Sequence, residues 1–554
     1  MSPRAVDPAV IAFRRVPPKQ WDDLSGKAAI DTALAIFKEN PPARAELIGM
    51  DAAQYLEQFI AATQEHIRRA HSGYGSVRWL WYLRRAPEAI FSGSYDTTVG
   101  YDRFLAEIMS SGFAREDRSE LATRITFRVD DAAIRHVASF VGRVKLLSQL
   151  HILYRRIGKG ATLDARLPIL AAKTPAGVES AIAIYDQRHD RSHEFFGSGL
   201  GLATVEPNST NFVEAAERFD LTAFLSFGCT PSYYPTIRYP DANGAQIEVT
   251  VEARHMLKTL DLRNALRPFD GEAGSPEYLR EVAPLIQLLV MLPALMTQVP
   301  WAFGTILQQG YFFCGATRLE ALFDAYLPEA TAILAGETPG LRWPITAAEW
   351  LGAVNQINVC PWPLMAGNIC RRYAEQYLLD ITGCSQAFLQ RLEISRAPAL
   401  GNVRGAAFEL QCQEIIDRSA WAPPPAIREL RGRALRRAGQ RLTDIDALAT
   451  MDGVLLIVSS KSRIYDREYD RGTYRVVENE RSRIDEAVTQ WDSVVEGLNR
   501  DPAGDNFDFS AFKQIVGVVC TPFPVYTSND RSLRFVKDGL RASCSAHELR
   551  DWLE

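Results

Sequence analysis

Acidic residues and one lysine stand at a suggestive spacing in the last third of the chain. Asp444 and Asp446 lie in the segment RLTDIDALATMDG, and Lys461 follows the apolar run VLLIVSS, fifteen residues after Asp446. Carboxylate oxygens are the ligands of a hard divalent cation such as Mg²⁺, which polarises a phosphodiester and lowers the pKa of an attacking water. A lysine beside them can stabilise the charge of the transition state. Asp446 and Lys461 therefore fit the two roles of a metal-dependent hydrolytic site.

The elements that must position these residues follow the order helix, hairpin, strand, helix. VRGAAFELQCQEIIDRSA has helical spacing, and the Asp-Gly pair at 452–453 is a strong turn signal between LTDIDALATM and VLLIVSS. Period-2 alternation predicts Asp444 and Asp446 on one face of the hairpin, and Ser459 and Lys461 on one face of the next strand. The helical stretch ENERSRIDEAVTQWDSVVEGL follows. Pairing of the two strands would let their polar ends converge.

This order resembles the PD-(D/E)xK superfamily of restriction-endonuclease-like nucleases. The matching features are Phe408-Glu409 on the opening helix, the LTDIDALA segment, the Asp-Gly turn and an apolar strand that ends in x-x-K. The resemblance covers residues 396–554 and implies an α/β fold, a mixed sheet flanked by helices, with Asp446 as the first acid. The spacing to Lys461 suits the short-hairpin members, which include Holliday-junction resolvases and many prokaryotic defence nucleases.

The resemblance has one departure, at position 459. Most members carry Glu or Asp there, whereas this chain has Ser459, whose hydroxyl is a poor Mg²⁺ ligand. Some restriction endonucleases of the superfamily have S-x-K and recruit a glutamate from the following helix, which makes Glu478 the first candidate and Glu480 the second. Glu409 matches a position that completes the metal shell in many relatives. The resemblance thus implies catalytic roles for Asp446, Lys461, Glu409 and Ser459, and Mg²⁺ or Mn²⁺ binding by Asp446, Glu409 and Glu478.

Six arginines cluster just before the predicted hairpin and at its start. Neutralising phosphates with arginine is the main source of affinity for nucleic acid. A solvated charged face is an equally good interpretation. The residues that we expect to contact nucleic acid are Arg433, Arg436, Arg437 and Arg441.

Both proposed catalytic residues also have an ordinary interpretation. Asp446 could be an exposed position on an edge hairpin. Lys461, at the end of a strand, could be a solvated lysine that blocks pairing with another edge. The whole order of elements, and no single residue, favours the catalytic interpretation.

Composition limits the broad class of protein. A chain of 554 residues is too long for one core and predicts two or three domains. Hydrophobic residues at 47% and charged residues at 23% are typical of globular proteins and exclude a disordered or collagen-like class. The net charge of −5 gives no bulk attraction to nucleic acid, so any such contact must come from local patches. The eight cysteines form no C-x-x-C pair, and the N-terminus lacks a secretory signal, so we expect free thiols and a cytoplasmic location.

Residues 1–395 are predicted to form a large, mainly helical region of one or two subdomains. Short β-prone runs such as ESAIAIYDQ, LTAFLSFG and AQIEVTVEA indicate a small α+β insert near 167–252. The apolar segment 281–304 contains three prolines and two glutamines, and therefore predicts a buried helix pair and no membrane contact. The boundary between the regions is expected within 395–405.

Three functional hypotheses compete at this stage. The first is a Mg²⁺-dependent DNA endonuclease whose N-terminal region recognises a target, a partner or a signal; the same region could bind a protein partner or form a homo-oligomer. A role in prokaryotic restriction or antiphage defence follows from the resemblance alone. The second is a catalytically lapsed nuclease fold, marked by Ser459, that binds nucleic acid or a protein within a larger assembly. The third is a ribonuclease, which differs from the first only in substrate.

Overall fold

The fold was analysed in a computed structural model of the chain. The segments that the structure describes are 4–5, 7–91, 99–113, 126–205, 220–240, 245–263, 276–299, 301–337, 342–358, 369–393, 401–462 and 467–554. Most of the boundary segment predicted between the two regions, 395–400, lies outside these residues.

The described chain is mixed α/β, with long helices and several small sheets. The helices are α1 (Pro8–Arg14), α2 (Pro18–Glu39), α3 (Gly49–His71), α4 (Ser76–Leu83), α5 (Val99–Ser111), α6 (Asp131–Gly158), α7 (Ala176–Gly199), α8 (Pro276–Gln298), α9 (Trp301–Gln309), α10 (Ala316–Glu337), α11 (Ala347–Asn358), α12 (Ile381–Glu393), α13 (Gly401–Asp417), α14 (Pro425–Arg428), α15 (Arg467–Arg471), α16 (Tyr474–Arg500), α17 (Asp530–Leu533) and α18 (Ala546–Leu553). The strands are β1 (Arg4–Ala5), β2 (Glu46–Leu47), β3 (Thr162–Asp164), β4 (Ala171–Lys173), β5 (Ala203–Thr204), β6 (Thr222–Tyr233), β7 (Thr236–Pro240), β8 (Gln246–Val251), β9 (Ala253–Asp261), β10 (Tyr311–Gly315), β11 (Cys370–Tyr373), β12 (Gln376–Asp380), β13 (Ala434–Arg437), β14 (Gln440–Asp444), β15 (Ala447–Met451), β16 (Val454–Ser460), β17 (Gln514–Thr521), β18 (Phe535–Lys537), β19 (Leu540–Arg541) and β20 (Ser543–Ser545).

The N-terminal region, which comprises α1–α12, has two main hydrophobic cores. One lies among α1–α6 and includes the fully buried Trp79 and Phe140, whose rings stack at 4.3 Å. The other joins β6 and β9 to α8–α12, around Leu289 and Trp350. The described residues of this region are mainly helical, as predicted. In α3, for example, the buried residues recur at helical spacing and form one face of the helix.

The predicted α+β insert differs from expectation in its first part. The run ESAIAIYDQ, taken as β-prone, lies inside α7. Ala181, Ile182 and Tyr185 share one helix face there and pack on Val477 and Tyr526 of the C-terminal region. Strands do follow, from β5 to β9, but β6 and β9 belong to the core with α8 and do not form a separate unit.

The apolar segment after position 281 is buried inside the protein, as predicted. Described side chains from Val282 to Leu295 are almost all inaccessible to solvent, and α8 contains Pro284 and Pro293. The carbonyl of Pro284 accepts a hydrogen bond from Trp350 Nε1 at 2.9 Å, which ties α8 to α11 in the core. Among the described helices, none is long and apolar enough to cross a lipid bilayer.

The C-terminal region, from α13 to α18, is organised around one four-stranded mixed sheet of order β15-β16-β17-β20. β15 and β16 pair antiparallel across a turn in which Asp452 and Gly453 both have positive φ, 51° and 79°. This is the two-residue hairpin that the Asp-Gly signal predicted. β16, β17 and β20 run parallel, and the long helix α16 connects the first two.

Helices cover both faces of this sheet. Leu455 and Ile457 of β16 face α16, where Trp491 Nε1 donates a hydrogen bond to the carbonyl of Ile457 at 3.3 Å. Leu456 and Val458 face α13 and α18 on the other side. The strand is apolar on both faces because both are buried, which explains its continuous hydrophobic run.

The two regions are in close backbone contact. A Cβ on Gly158, at the end of α6, would stand 2.2 Å from the carbonyl oxygen of Gly472, which precedes α16. On another side, Arg188 of α7 forms an ion pair with Glu548 of α18, with Nε and Oε1 2.6 Å apart. Only glycine permits the first approach, so the N-terminal region fixes the start of α16.

Candidate active site

Asp446 occupies a break between two strands. Asp444 is the last residue of β14, where it pairs with Ala434, and β15 begins at Ala447. The structure therefore places a strand break between Asp444 and Asp446, which the alternation of the sequence did not predict. Ile445, which is fully buried, turns the chain from the small β13–β14 sheet into the main sheet, and this turn leaves Asp446 half-buried at the sheet end.

The backbone of β16 holds the carboxylate of Asp446. Its Oδ2 accepts a hydrogen bond from the backbone N–H of Ser460 at 2.6 Å, and its own N–H donates to the carbonyl of Val458 at 3.1 Å. Burial raises the pKa of Asp446 to about 6, and the negative charges of Glu409 and Asp444 add to this effect. The Ser460 hydrogen bond and the Lys461 charge act in the opposite direction without reversing it. The site therefore carries negative charge that its neighbours leave incompletely compensated.

Glu409 is brought to the site by the docking of α13. The Gln413 side chain accepts a hydrogen bond from the Leu448 N–H at 2.9 Å and donates to the Leu448 carbonyl at 3.1 Å. Gln413 thus pairs with the backbone N–H and carbonyl of Leu448, which a neighbouring strand would otherwise pair with on the outer edge of β15. Glu409 lies one helical turn before Gln413 and is partly exposed near Asp446.

Ser459 and Lys461 lie two residues apart at the end of β16, and Ser459 is buried whereas Lys461 is exposed. The Lys461 N–H donates to the carbonyl of Cys520 at 2.8 Å, which continues the parallel pairing of β16 with β17. The lysine is exposed and near enough to Asp446 to lower its pKa. Ser459 is 7% exposed and pairs with Val519, so it adds a small buried hydroxyl and no carboxylate.

The structure gives the two glutamates of α16 partners of their own. Glu478 accepts a hydrogen bond from Arg481 at 2.6 Å, and Glu480 accepts one from Arg483 at 3.3 Å. The main contributions to the pKa of Asp446 come from other residues. The structure therefore favours Glu409 over Glu478 as the second carboxylate beside Asp446.

The four arginines predicted to bind nucleic acid lie at or beside the β13–β14 hairpin. Arg433 forms an ion pair with Glu429 at 3.8 Å, and both side chains are exposed. Arg437 lies 3.3 Å from Asp501, and Arg441 forms an ion pair with Asp444. Arg436 is exposed and faces Arg441 across the hairpin. None of the ion pairs found among the described residues involves Arg436.

Two features of the site escaped sequence reasoning. Arg431 Nε donates to the carbonyl of Asp446 at 3.1 Å and so holds the break in the chain. Three buried thiols lie beneath the site, with Cys412 Sγ and Cys520 Sγ 3.9 Å apart and Cys544 paired with Cys520 across the sheet. Helical spacing on α13 could have predicted that Cys412 is buried. Its proximity to Cys520 and Cys544 could not be predicted, because these residues are more than a hundred positions away in the sequence.

The donor set fits a hard cation that keeps much of its water. Among the described residues, no group of three or more His, Cys, Asp and Glu side chains is arranged to hold a metal ion. Mg²⁺ is commonly bound through one or two carboxylates and retains several water ligands. The carboxylates of Asp446 and Glu409, together with the raised pKa of Asp446, fit a site of that kind.

Comparisons with protein-family models, with curated proteins and with solved structures gave no match for this chain.

Proposed function

We propose that the C-terminal region is a metal-dependent nuclease that hydrolyses phosphodiester bonds of DNA. The observation that carries the proposal is the meeting of Asp446, Glu409 and Lys461 at the end of β16, around a carboxylate with a pKa raised to about 6. Strongly perturbed groups in an accessible position are candidates for function, because structural charges are usually compensated.

The arrangement of elements supports a restriction-endonuclease-like fold. A helix carrying Glu409 precedes an antiparallel hairpin, and a long helix then leads to a parallel strand. Helices cover both faces of the sheet. This is the order that the sequence resemblance implies, and on it rest the choice of DNA as substrate and the role in prokaryotic restriction or antiphage defence.

Each residue has a defined part in the proposed reaction. Asp446 and Glu409 would hold Mg²⁺ or Mn²⁺, with Asp446 fixed by the Ser460 N–H and Arg431. The bound cation supplies Lewis-acid activation of the phosphodiester and a more acidic water. Lys461 is exposed, so its ammonium can reach a bound phosphate and stabilise the negative charge that grows in the transition state.

A second candidate function is a binding module without catalysis, and Ser459 favours it. Serine stands where a second strand carboxylate is expected, and the described residues contain no three-ligand group. In that case the region would grip nucleic acid or dock a protein partner within a larger assembly.

The test is cleavage of plasmid DNA, single-stranded DNA and total RNA by the full chain, with Mg²⁺, Mn²⁺ or a chelator. We expect metal-dependent cleavage of DNA, its loss with chelator, and its loss in Asp446→Asn. Asp452→Asn is the matched control, because Asp452 stands at the other end of β15 in a turn with positive φ that asparagine tolerates. Binding of DNA without cleavage under every metal condition would overturn the enzyme and leave the binding module. Cleavage of RNA alone would reassign the substrate.

A further inference from the structure

The β13–β14 hairpin concentrates positive charge beside the site. Residues 434–444 contain three arginines and one acidic residue, although the chain as a whole has a net charge of −5. Arg436 and Arg441 are direct cross-strand partners, so their side chains leave the same face of the hairpin. Leu435 faces the other way and is fully buried in the core.

The loop after α16 holds this hairpin in one conformation. The Asp505 carboxylate accepts hydrogen bonds from the N–H groups of Ala438 and Gly439, at 3.0 and 2.8 Å, and so binds the tip of the turn. Asn506 Oδ1 accepts from the Arg436 N–H at 2.9 Å. The hairpin is therefore ordered before any partner binds, which lowers the entropic cost of binding.

Arg437 belongs to this scaffold. Its side chain turns toward the loop, where Nη2 donates to the carbonyl of Asp501 and Nε to the carbonyl of Ala503, the latter at 3.3 Å. It is 27% exposed, against 65% for Arg441. Arg437 therefore serves the fold of the hairpin, although sequence reasoning grouped it with the other arginines.

The hairpin is joined directly to the catalytic carboxylate. At its base, the Gly432 N–H donates to the carbonyl of Ile445 at 2.8 Å, and Arg431 holds the carbonyl of Asp446. Arg441 lies five residues before Asp446, a distance of at most ~17 Å at the rise of a strand. One duplex can therefore place a phosphate at Asp446 and another at the hairpin.

We propose that Arg436 and Arg441 form a preorganised clamp for the phosphate backbone of the DNA duplex beside the site, while Arg437 holds the clamp in place. This inference rests on the proposed function, since it takes the nucleic acid at Asp446 to be duplex DNA. Arg441 exchanges its exposed pairing with Asp444 for a phosphate, at small cost because exposed ion pairs contribute little.

The test measures binding of the full chain to a duplex of about 30 base pairs, without divalent metal, over a series of salt concentrations. Each phosphate contact adds ~0.9 to the slope of log affinity against log salt concentration, so Arg436→Gln with Arg441→Gln should lower the slope by ~2. Arg428→Gln is the matched control, because Arg428 is exposed, paired with Asp417 and outside the hairpin. Thermal unfolding of each variant checks that the fold is retained.

The outcomes separate this inference from the proposed function. An unchanged slope in the double variant, or an equal loss in Arg428→Gln, would overturn the clamp even if the wild type cleaves DNA. A slope lowered by ~2 in the double variant, together with a wild type that binds the duplex but never cleaves it, would support the clamp and overturn the nuclease. A wild type that binds no duplex at any salt concentration would overturn both.

Discussion

Two clusters of buried charge in this protein contain similar residues and differ in how completely they are compensated. In the N-terminal region, the Arg84 guanidinium is 3% exposed and forms ion pairs with Glu107 at 2.6 Å and Asp380 at 3.2 Å. It also contacts His255 Nε2 at 3.0 Å. In the C-terminal region, Asp446 is half-buried among further carboxylates, and its pKa is raised. The first arrangement stabilises its charges in the folded state, and the second does not.

The space around each cluster differs in the same way. A Cβ on Gly310 would stand 2.5 Å from Arg84 Nη1 and 2.2 Å from Thr382 Oγ1, so the N-terminal cluster has no room for a ligand on that side. Beside Asp446, the side chain of Lys461 is exposed and that of Glu409 partly exposed. A buried charge that is fully paired and tightly packed indicates structure. A poorly compensated charge that a ligand can reach indicates function.

The largest effect should come from breaking the paired cluster. Arg84→Met removes the ion-pair partner of the buried Asp380 and of the partly buried Glu107, and leaves Arg371 as a remaining cation near them. This should lower the free energy of unfolding by ~3–5 kcal/mol. Urea denaturation followed by circular dichroism measures the loss. Arg238→Met is the control, because the Arg238–Glu248 pair is exposed and should contribute only ~0–1 kcal/mol. Equal midpoints for the two variants would contradict a structural role for the cluster.

The next effect concerns Lys461 and the proposed chemistry. Lys461→Ala should lower the rate of cleavage by ~10²–10³, about 2.7–4 kcal/mol, with DNA affinity almost unchanged, because the lysine stabilises charge that grows only in the transition state. Stability should fall only slightly at neutral pH, since the side chain is exposed and its charge favours the ionised form of Asp446. Lys513→Ala is the control, because Lys513 is exposed just before β17, at the opposite end of the sheet. Cleavage at the wild-type rate by Lys461→Ala would reject the role given to this lysine.

Replacing Asp446 should stabilise the protein at neutral pH, whereas replacing Arg84 should destabilise it. Its pKa is near 3.9 in an unfolded chain and about 6 in the fold, so between these values the folded state binds more protons and stability falls as pH rises. Above pH ~6 the penalty is complete, and Asp446→Asn should then stabilise the protein by ~2 kcal/mol. Thermal unfolding at both ends of this range measures it. Near pH 4 the two proteins should be equally stable.

Metal binding provides a second comparison of the wild type with Asp446→Asn. Millimolar Mg²⁺ should raise the unfolding temperature of the wild type, because a ligand that binds only the folded state stabilises it. Asp446→Asn should not respond. An asparagine variant that is less stable than the wild type at neutral pH would show that the carboxylate is compensated after all, and would remove the contrast with Arg84.

The sequence predicted the local parts of the site better than its surroundings. The Asp-Gly turn and the apolar run fixed the β15–β16 hairpin and its register, because both signals act over a few residues. The break at Ile445 was missed, since alternation continues through RLTDIDALA without interruption. ESAIAIYDQ was taken for strand because alternating Ala and Ile over so short a run fits both periods, and packing on Val477 and Tyr526 decides for helix.

The choice of the second carboxylate illustrates the same limit. The sequence offers Glu409 and Glu478 without a physical reason to rank them, because each is helical and far along the chain from Asp446. The ranking depends on long-range contacts. Gln413 docks α13 on β15 and so brings Glu409 near Asp446, whereas Arg481 occupies Glu478.

The smallest expected effect tests this ranking. Glu409→Gln should raise the Mg²⁺ concentration for half-maximal cleavage by about tenfold, or ~1.4 kcal/mol, because Asp446 would then hold the cation without a second carboxylate. Glu478→Gln is the matched control and should change it little, since that carboxylate is engaged by Arg481 at 2.6 Å. Titration of cleavage against Mg²⁺ concentration measures both. A larger effect from Glu478→Gln would move the second ligand to α16, and wild-type cleavage by the double variant would contradict any site in which a glutamate assists Asp446.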